Sequence, residues 1–255
     1  VDHLINIKHE KFVWKGPAHN YVSKVVAQRS AGLAKGVAII RDSSNLGGKS
    51  TRFKTTEEKY LYDAGLFEAE LKKDPTDARS QFYLAQSYRD AKQYDKALEH
   101  YLKRANMQNT WDQERYVSFF NAGLIFETKN EIDSAIKVYQ EAFDLIPSRA
   151  EAPTRLSSLL RIGSRLVKAY MVTEKAIQNA KITGGELFRI THYYDWGLLE
   201  AAYLSAFRIK KYAEAHAYIN LLVDRINKKE IKVSKPLFEK FLARKQKLDK
   251  AKNEA

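Results

Sequence analysis

The chain has 255 residues, of which 44% are hydrophobic and 29% charged, and this composition is typical of a folded domain and excludes a largely disordered chain. It contains no cysteine, which excludes disulfides, thiolate catalysis and sulfur-ligated zinc, and favours a reducing, cytoplasmic location. No apolar run approaches the ~18 residues that span a bilayer, so we expect no membrane span.

The net charge of +13 is concentrated at the two ends of the chain. Residues 1–54 carry 10 basic and 3 acidic side chains, residues 55–224 carry 23 and 24, and residues 225–255 carry 11 and 4. A nucleic-acid-binding protein more often carries its basic residues along one folded face. The distribution therefore disfavours nucleic acid as the partner.

Residues 1–54 contain short β-prone runs at residues 4–7, 12–14 and 36–40, which are separated by Gly, Pro and Ser. We predict a short strand and loop segment that ends near residue 54. Near its end, the sequence GGKS at 47–50 resembles part of a phosphate-binding loop, but Ser43 stands where that motif requires glycine. We therefore interpret GGKS as a basic turn.

From Thr55 onward the sequence is helical in pattern, and four polar residues are placed to cap helix N-termini. Each precedes a Glu or Gln by three residues, which is the spacing of a capping box. The four boxes are Thr55 with Glu58, Thr110 with Gln113, Ser148 with Glu151, and Thr183 with Glu186.

The helical body repeats. Ala97, Ala135 and Ala169 are separated by 38 and 34 residues, and a period of 34 with small residues at fixed places is typical of tetratricopeptide (TPR) repeats. A looser fourth pair is predicted around Ala215. We therefore predict a mainly α fold, a TPR-like α-solenoid of antiparallel helix pairs over residues 55–226, which follows the strand and loop segment of residues 1–54. Residues 227–255 are predicted to form a basic capping helix and tail.

Helix-A positions of such repeats line a concave surface that can hold an extended peptide or pack on another domain. We expect a protein or peptide partner there, and the same surface is compatible with a homo-oligomer. The predicted groove residues are Arg79, Phe82, Gln86, Arg89, Phe120, Leu124, Glu127 and Arg161.

Catalytic motifs are absent from the sequence. No two of the six histidines form a helical zinc pair at i, i+4 with an intervening Glu, and there is no Asp-x-Asp pair and no Gly-x-Ser-x-Gly elbow. Catalysis by this chain alone is therefore not expected, and no cofactor is expected in this chain alone.

Four stretches nevertheless resemble family-two glycosyltransferases that carry C-terminal TPR repeats: FVWKGPAHNY at 12–21, GGKS at 47–50, KYLYDA at 59–64 and FYLAQSYRDA at 82–91. The resemblance implies that residues 1–54 are the end of a catalytic domain, and that the complete enzyme uses a nucleotide-sugar and a divalent metal. It places His19 at the metal, and Trp14 and Tyr21 near the donor or acceptor. The family's Asp-x-Asp motif should precede Trp14, but only 13 residues do.

Three functional interpretations stay open at this point. The first is the repeat region of a glycosyltransferase, which holds the acceptor or a partner beside a catalytic domain that this chain lacks. The alternative is a stand-alone TPR scaffold that binds a peptide or protein without catalysis. The third is a protein that binds an anionic surface through its two basic ends.

Overall fold

The computed structural model describes residues 12–15, 21–24 and 53–253. The chain divides into two compact units, Val1–Lys103 and Arg104–Ala255. In the first unit, β1 (Phe12–Lys15) pairs antiparallel with β2 (Tyr21–Lys24), and Trp14 lies opposite Val22 in the register. Strand β1 contains the predicted run at residues 12–14, whereas the runs at 4–7 and 36–40 lie outside the described residues.

The helices of the first unit are α1 (Thr56–Lys73), α2 (Ala78–Asp90) and most of α3 (Tyr94–Asn106). Helix α1 packs against α2. It begins where its sequence predicts, because the hydroxyl of Thr55 accepts a hydrogen bond from the amide of Glu58 at 3.1 Å. Helix α2 is capped in the same manner by Asp77, which accepts from the amides of Arg79 and Ser80.

The second unit contains three further helix pairs and a last helix. The two helices of each pair pack against each other, and the last helix packs on α9. The elements are α4 (Asp112–Thr128), α5 (Ile132–Leu145), α6 (Glu151–Ile162), α7 (Leu166–Asn179), a π-helical turn (Tyr193–Gly197), α8 (Leu198–Arg208), α9 (Tyr212–Asn227) and α10 (Lys235–Asn253).

The same turn joins the two helices of four pairs in the described residues. A residue with positive φ stands two positions after the end of the first helix, and the next amide donates back to a carbonyl five residues earlier, as in a Schellman cap. The four positive-φ residues are Lys92, Asn130, Ser164 and Lys210. Their spacings of 38, 34 and 46 residues define the repeat and place an insertion before the fourth pair.

The small residues predicted to lie between helices are buried. Ala97, Ala135 and Ala169 are 0% exposed, and Ala215 occupies the same position in the fourth pair at 0%. The position four residues further on in each second helix is also fully buried, and large side chains fill it in three of the four pairs: Tyr101, Tyr139 and Ile219, with Thr173 in the third pair, are all 0% exposed. The described residues thus confirm a mainly α, TPR-like α-solenoid of antiparallel helix pairs that follows a short strand segment.

Three of the four predicted capping boxes do not begin an α-helix. Thr110 instead bonds the guanidinium of Arg104 at 2.9 Å and the carbonyl of Met107 at 2.7 Å, and Trp111 precedes α4 without a side-chain cap. Helix α6 likewise begins after Ala150 without a side-chain cap. The box at residues 183–186 forms its hydrogen bonds, but it closes a turn in the connection after α7.

Candidate functional site

A cavity of about 200 Å³ lies in the second unit, between helix α6 and the π-helical turn that leads into α8. Its volume corresponds to roughly seven water molecules at about 30 Å³ each, which is the size of one or two amino-acid side chains. We call it the α6–α8 cavity. Its lining residues are Thr154, Arg155, Ser158, Arg161, His192, Tyr193, Trp196, Gly197, Glu200, Ala201 and Leu204.

The connection between α7 and the π-helical turn leads into one wall of the cavity. A buried ion pair holds this connection in place. Arg149 is 2% exposed and Glu151 0%, and their Nη2 and Oε1 atoms are 2.8 Å apart. Nη1 of Arg149 also donates to the carbonyl of Leu187 at 2.9 Å and to the side chain of Gln113 at 2.8 Å. The pair therefore fixes the connection to α4 and α6.

The carboxylate of Glu151 accepts further hydrogen bonds, one of them from the same connection. It accepts from the amide of Ile190 at 3.2 Å and from the hydroxyls of Tyr194 at 3.1 Å and Tyr116 at 3.4 Å. Burial, together with the nearby Glu151 charge, raises the pKa of Tyr116 well above its ordinary value, so this hydroxyl stays protonated and able to donate. A buried charge that accepts several hydrogen bonds holds its partners in one arrangement.

The π-helical turn is stabilised by a side chain from α9. The amide of Leu198 donates to the carbonyl of Tyr193, five residues back, which is the widened hydrogen-bond spacing of a π-helix. Nη1 of Arg225 donates to the carbonyl of Asp195 within this turn at 2.9 Å. A side chain at Gly197 would place its Cβ 3.3 Å from the carbonyl of His192, so a close backbone approach is built into the turn.

Aromatic rings form the side of the cavity that the π-helical turn provides. The rings of His192 and Trp196 have centroids 5.3 Å apart, and those of His192 and Tyr193 are 4.2 Å apart. Tyr193 in turn contacts Phe120 edge-to-face at 6.2 Å, which ties this wall to α4. His192 is exposed, so this wall reaches the surface of the second unit.

Arg155, on the α6 side, is neutralised by Glu127. Its Nε donates to Oε1 of Glu127 at 2.9 Å and its Nη2 donates to Oε2, which makes a two-point pair between α6 and α4. Tyr139 donates to the same carboxylate at 2.6 Å. Burial acts to lower the pKa of Arg155, but the hydrogen bond and charge of Glu127 outweigh burial and leave that pKa raised. This guanidinium is therefore charged, and its charge is already paired with Glu127.

Arg161 differs from Arg155 because its hydrogen bonds reach only neutral groups. Its Nη1 lies 3.1 Å from Oγ of Ser205 and 3.4 Å from both the carbonyl of Ala201 and Oγ of Ser157. Within residues 53–253, no carboxylate lies in ion-pair contact with it. Burial lowers the pKa of Arg161 to about 10, and the more distant Glu200 opposes that shift.

Glu200, the acidic residue that lines the cavity, already has two cationic partners. Lys240 lies 3.2 Å from its Oε1, and Arg244 donates to the same oxygen. Both cations belong to α10, so the predicted capping helix contributes charge beside the cavity.

The predicted groove residues of the second unit have different placements. Arg161 lines the cavity, and Glu127 holds Arg155 at its edge. Leu124 is half-buried and is not among the lining residues. Phe120 is 5% exposed and packs against Tyr139 and Tyr193, so it supports the wall from the core.

The predicted groove residues of the first unit belong mostly to the packing of α2. Phe82 is 1% exposed, so its ring lies in the core and is not available to a ligand. Arg79 and Arg89 are half-buried; Arg79 donates to the hydroxyl of Tyr83 at 3.1 Å, and Arg89 pairs with the adjacent Asp90. Gln86 is also half-buried.

The residues implied by the glycosyltransferase resemblance lie in or beside the strand pair. Trp14 is in β1 and Tyr21 is in β2, opposite Lys15. His19, the implied metal ligand, lies outside the described residues, and in residues 53–253 no three His, Asp or Glu side chains form a group that could hold a metal ion.

Several residues of the cavity do not follow from the repeat pattern. His192, Trp196 and Glu200 lie in or next to the insertion before the fourth pair, where the alanine series has no period to follow. The available signal is the spacing of 46 residues between Ala169 and Ala215, which exceeds the preceding 34 and indicates an inserted segment.

Among the helices in the described part of the chain, none combines the length and apolar character that a bilayer-crossing segment needs. No protein-family model matches the chain, and no curated protein matches it. The glycosyltransferase resemblance therefore gains no support from these comparisons.

Solved structures do match. MamA has a TM-score of 0.51 and 20% sequence identity, with 71% of this chain and 94% of that chain covered. BtubC from P. vanneervenii gives 0.52 and 15%, with 70% and 78% covered. PilF of Pseudomonas aeruginosa gives 0.51 and 18%, with 74% and 76% covered. At these identities the likeness concerns the fold alone, and it agrees with a TPR-like α-solenoid.

Proposed function

We propose that this chain is a TPR-like scaffold that binds a short segment of another protein in the α6–α8 cavity. The observation that carries the proposal is the cavity itself, which lies at helix-A positions of the repeat and has the size of one or two side chains. Stacked repeats generally present such helix faces to extended peptides.

The walls of the cavity are fixed by contacts that need no ligand. The Arg149–Glu151 pair holds the connection before the π-helical turn, Arg225 holds the turn, and Glu127 holds Arg155. A site that is already ordered loses little conformational entropy when it binds, so a short peptide can bind with useful affinity.

The glycosyltransferase interpretation stays a prediction from the resemblance. The residues that would test it are His19, Trp14 and Tyr21. His19 lies outside the described residues, and of Trp14 and Tyr21 the structure describes only the strand backbone. A cytoplasmic location also stays a prediction from composition.

Selection from a displayed library of random 12-residue peptides tests the proposal. Peptides are selected on the wild-type protein and then assayed on Ser158→Trp, which would fill the cavity from α6. Val167→Trp is the matched control, because Val167 is 63% exposed on α7 and does not line the cavity.

We expect peptides that bind the wild type and Val167→Trp but do not bind Ser158→Trp. Circular dichroism and thermal melts must show that both variants remain folded. Failure to enrich any peptide, or enrichment of peptides that bind Ser158→Trp as well as the wild type, would contradict the proposal.

A further inference from the structure

We propose that the α6–α8 cavity binds a carboxylate of an acidic peptide segment, and that Arg161 is the residue that recognises it. This inference rests on the proposed function and specifies its ligand. The carboxylate can come from an Asp or Glu side chain or from a chain terminus, and the experiment below separates these sources.

The first argument is the unused hydrogen-bonding capacity of Arg161. A guanidinium has five N–H donors in a planar fork, and two of its nitrogens together match the two oxygens of a carboxylate. Only Nη1 of Arg161 makes hydrogen bonds within the described residues. Nε and Nη2 make none there, and they are not among the fully buried polar atoms without partners, so each keeps some solvent-exposed area.

The second argument is the cost of holding a cation in this position without an anion. Arg161 is partly buried, and its neutral partners Ser157, Ser205 and the carbonyl of Ala201 compensate only part of its lost hydration. Burial lowers its pKa, as expected of a cation whose charge is poorly compensated. A ligand carboxylate would supply the missing anion.

The third argument is the charge that surrounds the site. Arg208 and Arg244 both act electrostatically against the charge of Arg161, and Lys240 adds a further cation beside Glu200. Glu200 is the nearby carboxylate, but Arg244 and Lys240 already pair with it. The local excess is therefore positive, which favours an anionic ligand group and disfavours a cationic one.

The fourth argument excludes Arg155 as the residue that recognises the ligand. Its Nε and Nη2 are both engaged by Glu127 in a two-point pair. An incoming carboxylate would have to displace Glu127 to reach these nitrogens. Arg161 offers its own nitrogens without such an exchange, and Trp196 and Tyr193 supply apolar surface for the methylene groups of an acidic side chain.

The experiment uses three synthetic hexapeptides and NMR titration of the full chain labelled with 15N. The first peptide carries one central glutamate with both ends blocked, the second has glutamine in its place, and the third is the glutamine peptide with a free C-terminal carboxylate. The reporters are the Nε–Hε group of Arg161 and the backbone amide of Gly197, which lines the cavity. Arg161→Lys assigns the Nε–Hε signal by its loss.

We expect the glutamate peptide, the free-terminus peptide or both to shift these signals, and the blocked glutamine peptide to leave them unmoved. Arg161→Gln should raise the dissociation constant at least about tenfold, because charge-assisted two-point contacts are strong. Arg161→Lys should be intermediate, since it keeps the charge and loses the fork. Which of the two carboxylate peptides binds identifies the source.

Arg165→Gln is the matched control, because Arg165 is close in sequence but pairs with Asp133 and does not line the cavity. Its binding should equal that of the wild type. Equal binding of all three peptides, no binding of any, or wild-type affinity in a folded Arg161→Gln would overturn the inference. Library peptides that need the cavity but bind Arg161→Gln normally would overturn the carboxylate while leaving the proposed function intact.

Discussion

The ring of Tyr139 lies directly against the backbone of Gly123, so that a Cβ at position 123 would be 2.4 Å from Cε1 of the ring. Tyr139 is 0% exposed, and its hydroxyl donates to Glu127, which in turn holds Arg155 at the edge of the cavity. The absent side chain at Gly123 thus sets the spacing of α4 and α5 and connects that spacing to the candidate site.

Gly123→Ala should therefore destabilise the fold. The ring of Tyr139 is packed on all sides and cannot retreat without losing contacts, and such overpacking costs about 1–3 kcal/mol. Gly65→Ala is the control, because Gly65 lies within α1 and a Cβ there meets nothing within 4 Å. That control should stabilise by roughly 0.5–1 kcal/mol through helix propensity. Chemical denaturation measures both; equal effects of the two changes would contradict the packing.

Ser164→Gly should raise stability. Ser164 has φ 57°, a left-handed conformation that costs a non-glycine residue about 1 kcal/mol or more, and glycine adopts it without that penalty. The gain is partly offset by the greater freedom of glycine in the unfolded chain. Lys137→Gly, at an exposed position within α5, should instead lower stability by about 1 kcal/mol. Thermal melts that show loss at both positions would argue against a strained turn at Ser164.

Glu151→Gln should be severely destabilising, because it leaves the buried guanidinium of Arg149 without its charged partner. Removing one member of a buried pair typically costs about 3–5 kcal/mol. The double variant Arg149→Met with Glu151→Met removes both charges and should cost less than Glu151→Gln alone. Urea denaturation measures both variants. A double variant that is less stable than Glu151→Gln would contradict this expectation. It would indicate that the intact pair contributes more stability than an unpaired, buried Arg149 costs.

The first unit should lose stability in mild acid through His100. Burial lowers the pKa of His100, whose Nδ1 lies 2.7 Å from Nε2 of Gln81 across α2 and α3. The unfolded chain, with an ordinary histidine pKa of about 6.5, then binds the proton more readily than the folded chain. The contribution is therefore present above that pH and is lost as the pH falls below it.

Denaturant midpoints at pH 7.5 and 5.5 measure this effect. The wild type should lose more stability between the two pH values than His100→Gln, which cannot take up the proton. An equal loss in the two proteins would assign the acid sensitivity to other groups.

The helix pairs could be predicted from the sequence because their signals are local. Ala97, Ala135 and Ala169 recur at the repeat period, and each is fully buried. The capping boxes were weaker signals, because a hydroxyl can bond any nearby donor; Thr110 bonds Arg104 instead of the first turn of α4. Phe82, predicted to line the groove, is buried because its helix is covered on more than one face.

The candidate site could be predicted only in part, because its walls depend on distant pairs. Arg149 would be expected at the surface from its charge, but its partners Gln113 and Leu187 lie 36 and 38 residues away. The π-helical turn likewise depends on Arg225 in a later helix. The helix-A position of Arg161 can be read from the repeat, whereas its lack of a carboxylate partner follows only from the arrangement of Glu127 and Glu200.

Fluorine NMR of the protein labelled with 5-fluorotryptophan tests the central claim most directly, because the chain has three tryptophans. Trp196 lines the cavity, and Trp111 is 48% exposed elsewhere in the same unit. On addition of a peptide selected from the displayed library, we predict that the Trp196 signal shifts and saturates while the Trp111 signal stays unchanged. Saturable binding that moves the Trp111 signal and leaves the Trp196 signal in place would contradict a binding site between α6 and α8.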